Sequence, residues 1–156
     1  MDKKFLASSI IIIFFLIMGF FLINRSFKNF KLENKPVNIQ YVKLAGKSIK
    51  VDLVLTPIEQ ERGLSGRLGL DDNEGMLFIF SRSDKYNFWM KDMNFPLDII
   101  WISGDMKVIY IKKNARPELY PETYGPEENA KYVLEVVSGF SDRNNLRVGD
   151  EIKFTY

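Results

Sequence analysis

From Val37 onward, apolar and polar residues alternate with a period near two in short runs set off by turn residues, a pattern that predicts strands. About eight strands are expected, at 38–44, 48–55, 75–80, 86–91, 97–102, 107–112, 131–137 and 150–155. The clearest pair is the hairpin through Ala45-Gly46-Lys47. Its second strand places Ile49, Val51, Leu53 and Leu55 on one face and Lys50 and Asp52 on the other. One helix start is well marked, because Thr56-Pro57-Ile58-Glu59 combines an N-cap threonine, a proline at the first helical position and a glutamate three residues after the cap. A short helix should follow and end near Gly63 or Gly66, with a second helical turn near Ser141–Leu146. The stretch 113–130 (KNARPELYPETYGPEENA) does not read as regular structure; it is either a lid or binding loop, or disordered.

Upstream the pattern changes. Phe5 to Ile23 (FLASSIIIIFFLIMGFFLI) contains nineteen residues and no charge. As a helix it would be roughly 28 Å long, which matches the hydrocarbon core of a bilayer. A secretory signal would have a shorter apolar region and end at a small-x-small cleavage site, which Asn24-Arg25-Ser26-Phe27 does not offer. The expected organisation is therefore a basic flank at 1–4, a transmembrane anchor at 5–23, a charged linker at 24–37 and a β-rich domain at 38–156. Lys3 and Lys4 on one side nearly balance Arg25, Lys28 and Lys31 on the other, so the positive-inside rule does not choose the orientation.

Composition removes several chemistries. The chain has no Cys and no His, which excludes disulfides, thiolate nucleophiles, His-dependent triads and zinc sites built on either residue. Six Lys/Arg fall within residues 1–35 beside the apolar segment, where anionic lipid headgroups are the natural partner. The remainder carries 16 basic and 18 acidic residues and lacks the basic footprint of a nucleic-acid binder. No cofactor motif is present. Asp71-Asp72-Asn73-Glu74 lacks the spacing and glycine of a calcium loop and reads as a solvated turn. Gly63-Leu64-Ser65-Gly66 lacks the spacing of a phosphate loop.

Five blocks occur in a fixed order: Thr56…Glu59…Gly63-Leu64-Ser65-Gly66-Arg67, Gly75-Met76-Leu77-Phe78-Ile79-Phe80, Phe88-Trp89-Met90-Lys91, Pro96-Leu97-Asp98-Ile99-Ile100-Trp101-Ile102, and Tyr132-Val133-Leu134-Glu135-Val136…Gly139. Over roughly residues 39–155 the chain resembles the domain of unknown function 192 family. The resemblance implies a compact β sandwich or barrel with one short helix, frequently extracytoplasmic, and it implies no activity. Between Ile111 and Tyr132 the chain is richer in Pro, Tyr and Glu than the family pattern, so a role for that loop would be particular to this protein.

The polar residues set into apolar strands are the candidates for a site, because burying an ionised group is costly unless it is paired or neutralised. Asp98, Glu135 and Lys91 qualify; if they converge with Arg67, they form a charged site lined by Trp89, Met90 and Met76. The plainer alternative is that the carboxyl groups accept hydrogen bonds from turns or pair with Arg67 to fix the fold. Phe88 and Met90 project to one strand face and Trp89 to the other, so Trp89 is either covered or offered as a binding platform. The leading expectation is a membrane-tethered, non-catalytic binding module for a small molecule, a glycan or an envelope protein. The alternative is a hydrolase of cell-envelope carbohydrate in which Asp98 and Glu135 form a carboxyl pair.

Overall fold

The computed structural model describes residues 38–156 and, ahead of them, Met18 alone. Among the described residues no helix is long and apolar enough to cross a membrane. The span expected at 5–23, with its flank and linker, lies outside the described residues.

The domain is mostly β. Its strands are β1 (Tyr41–Leu44), β2 (Lys47–Val54), β3 (Glu74–Asp84), β4 (Phe88–Trp89), β5 (Leu97–Ile102), β6 (Val108–Ala115), β7 (Thr123–Tyr124), β8 (Ala130–Val137) and β9 (Lys153–Thr155). Seven of them form one sheet in the order β6-β5-β8-β3-β2-β1-β9, and β4 pairs with β7 as a separate ribbon. Neighbours are antiparallel except β2 and β3, which are parallel and joined by a crossover containing helix α1 (Pro57–Arg62). In place of a two-sheet sandwich or a closed barrel, the large sheet curls into a half-barrel. Its two edges meet at one end only, where Lys107 bridges Glu151 and the Ile152 amide donates to the Met106 carbonyl at 2.9 Å.

Local chemistry accounts for the joints. Ala45 and Gly46 both have positive φ, 47° and 73°, the two-residue turn whose twist suits a hairpin, and the register follows as Leu44 opposite Lys47. The capping box at α1 forms: Thr56 Oγ1 accepts from the Glu59 amide at 3.4 Å, and Glu59 Oε2 accepts from the Thr56 amide at 2.9 Å. Gly63 ends the helix. Leu55, expected on the buried face, is 45% exposed, because β2 stops at Val54 and the Leu55 amide turns to the Glu59 carboxylate. The second helical turn, α2, spans Phe140–Arg143.

Both faces of the sheet are covered. Val42, Ile49, Leu77, Ile100, Leu134 and Val136 pack on one face with Phe140, Leu146 and Ile152. Phe78, Phe80, Ile99, Trp101 and Val133 pack on the other with Leu64, Met90 and Tyr124. Every residue of β5 is buried as a result. The stretch 113–130 contains regular structure: β6 runs on to Ala115, a 3-10 turn occupies Pro117–Leu119, and β7 pairs with β4. The sequence hides this because β7 is two residues long and its anchor is one side chain, the buried Tyr124.

Candidate functional site

Glu135 lies in β8 between β3 and β5, in register with Met76 on one side and Ile99 on the other. Cross-strand partners share a sheet face, so its side chain joins the Phe78–Trp101 layer, beneath the end of α1. It is 5% exposed, and its Oε2 atom has no hydrogen-bond partner. Burial pushes the carboxyl up to about 8, against the opposing pull of the Arg67 guanidinium, so it is mostly protonated at neutral pH.

Glu135 lines a cavity of about 270 Å³. Gln60, Glu61 and Arg62 of α1 form one wall, and Phe78, Phe80, Tyr86, Phe88 and Trp89 supply aromatic surface. The rings are fixed against each other: Phe80 stacks on Tyr86 with centroids 3.5 Å apart, and Phe88 meets Phe78 edge-on at 4.8 Å. Trp101 holds the layer from below, donating its indole N–H to the Tyr86 carbonyl at 2.7 Å. Gly63 lets the helix end settle over the acid: at φ 49° and ψ −132° a side chain is strongly disfavoured, and a Cβ there would come within 3.3 Å of the Phe78 ring. The following loop is tied to the β4–β5 connection, the Gly66 amide donating to the Asp92 carbonyl at 2.9 Å and the Ser65 hydroxyl to the Lys91 carbonyl at 2.9 Å. Gln60 donates to the Ile79 carbonyl at 3.2 Å and holds α1 against β3.

The structure brings only some of the expected site residues together. Trp89 and Glu135 share the cavity, Trp89 being 46% exposed at its rim. Arg67 and Met76 line a neighbouring depression, where Arg67 pairs with Asp52 at 2.7 Å. Met90 is buried in the core, and Lys91 is exposed and contributes its main-chain carbonyl. Asp98 is elsewhere. It pairs with Val136 while Glu135 pairs with Ile99, so the two carboxyl groups point to opposite faces of the sheet and do not form the pair a glycoside hydrolase requires. Asp98 is fully buried and accepts from the amides of Asn114 (2.9 Å), Gly139 (3.2 Å) and Ser141 (2.8 Å), which makes it a structural staple. Among the described residues no three acidic, His or Cys side chains group as metal ligands, and Asp72 of the acidic turn pairs with Arg143.

Gln60 and Tyr86 also line the cavity and were not singled out from sequence, and Phe88, expected on the face opposite Trp89, lines it together with Trp89. Strand alternation already groups Met76, Phe78 and Phe80 on one face. What alternation within single strands cannot supply is which face of β8 joins them.

The fold and family are shared with known proteins. The profile of the DUF192 family, described as "Uncharacterized ACR", matches residues 40–154. Among curated proteins no sequence matches. A solved structure from Novosphingobium aromaticivorans DSM 12444, a protein of unknown function, is similar with a TM-score of 0.69 and 32% identity, over 76% of this chain and 89% of that one. Another, from Sinorhizobium meliloti 1021 and provisionally described as a transcription regulator, has a TM-score of 0.68 and 29% identity, over 73% of this chain and 90% of that one. The chain belongs to the DUF192 family.

Proposed function

We propose that this protein is a binding module tethered to a membrane through residues 5–23, with its domain on the extracytoplasmic side, and that it receives a small molecule in the cavity beneath α1. The observation that carries this reading is the buried, unpartnered Glu135 carboxyl lining a cavity walled by aromatic rings. A buried polar atom without a partner costs stability, and a ligand able to hydrogen-bond with it would recover that cost. An apolar cavity with a few convergent polar groups is the usual make-up of a small-molecule site, and about 270 Å³ suits a compact ligand. The balance of 16 basic and 18 acidic residues beyond residue 35 favours a small molecule over DNA, whatever the role of the Sinorhizobium relative.

The test is thermal unfolding of the full-length chain in lipid nanodiscs against sugars, cell-wall fragments, amines and other metabolites, with Trp89→Ala as control. A ligand at a hundredfold excess over its dissociation constant adds about 2.7 kcal/mol of stability. The expected result is a rise of several degrees in Tm that Trp89→Ala, itself still folded, reduces or removes. A panel without any shift would turn the search toward a protein partner for this face.

A further inference from the structure

We propose that the cavity ligand is a small primary ammonium compound carrying an apolar or aromatic group, whose N–H donors reach Glu135 while its apolar part lies against the ring walls. This deepens the small-molecule reading and rests on it.

Three features converge on a cation. Glu135 is buried, 5% exposed, and its Oε2 lacks any donor from the protein. Once ionised, the carboxylate only accepts, and an ammonium group, with three donors and no acceptor, is its complement. The cavity presents Phe78, Phe80, Tyr86, Phe88 and Trp89, and the negative face of an aromatic ring attracts a cation most strongly where water is excluded. Most of the fixed charges near the acid already have partners, the Arg67 guanidinium still pulling on it. Arg67 is held by Asp52 at 2.7 Å, and Glu59 is occupied in the α1 cap. Glu61 and Arg62, of opposite sign, both stand exposed on the α1 wall. Tyr86 is the remaining titratable side chain lining the cavity, and it stacks on Phe80.

Binding has a proton balance. The empty site holds a neutral Glu135 acid at neutral pH; the bound site holds the ammonium against the carboxylate, and one proton leaves to solvent. Apparent affinity therefore rises with pH until the free acid ionises by itself.

Isothermal titration of the full-length chain in nanodiscs with benzylamine, and with benzyl alcohol as its neutral counterpart, tests this at pH 6, 7 and 8. The expected outcome is binding of the amine and not of the alcohol, with affinity gaining about tenfold per pH unit below pH 8. Buffers of different ionisation enthalpy should report close to one proton released at pH 6. Glu135→Gln, an isostere of the protonated acid, should lose amine binding. Equal affinity for amine and alcohol, or amine binding without proton release, overturns the ammonium inference and leaves the cavity reading in place. No binding of either probe overturns it as well, and the wider ligand panel with Trp89→Ala then decides whether the cavity reading stands. The proton release of the unmodified chain gives an answer even if Glu135→Gln does not fold.

Discussion

Two buried carboxyl groups, one position apart in the register of adjacent strands, have opposite fates. Asp98 meets three backbone amides, whereas Glu135 meets rings and a helix end that leave one oxygen without a donor. Sequence marks both as unusual, since each interrupts an apolar strand, but it cannot say which is satisfied. Burial as the leading cause raises the Glu135 carboxyl from an ordinary value near 4.5 to about 8. Between those two pH values the folded chain holds a proton that the unfolded chain has released, so stability falls as pH rises through that window. The slope expected from this group is about 1 kcal/mol per pH unit. Urea denaturation from pH 5 to 8 should show that decline in the parent and a flatter profile in Glu135→Gln, the variant being the more stable of the two at pH 8. Parallel profiles would mean that Glu135 is ionised in the folded state.

At the scale of elements, joints with local chemistry were legible and joints made by distant partners were not. The α1 cap and the Ala45-Gly46 turn follow from residues a few positions apart. The β4–β7 ribbon depends on residues some thirty-five positions apart and on the burial of Tyr124 against the sheet, which no local pattern announces. Asp98 does comparable long-range work, stapling the end of β6 to the β8–α2 corner. Asp98→Ala leaves those three amides, the Ser141 one buried, without their acceptor and should cost roughly 3 kcal/mol. The corresponding fall in Tm is roughly 10 °C. Because its side chain points away from the cavity, any ligand that stabilises the parent should bind the folded variant with unchanged affinity, and a loss of affinity at temperatures where it is folded would return Asp98 to the site.

At the scale of the whole molecule, the compact described unit begins at Asn38. An uncleaved apolar span at 5–23 predicts that the full chain stays in the membrane pellet after alkaline carbonate extraction, while a chain beginning at residue 36 is released. Release of the full chain would show that the apolar segment is removed or does not span. The sequence by itself determined the mostly β class, the capped helix, the family and the short list of polar residues set among apolar ones, because alternation, capping and composition act over a few neighbouring positions. Tertiary structure alone decided that Asp98 and Glu135 face apart, that Trp89 edges a cavity while Met90 fills the core, and that Gly63 brings α1 down over an unpartnered acid. The physical reason is register: strand pairing between residues far apart in the chain fixes which side chains share a face, and moving a strand by one position would send each of them to the other side.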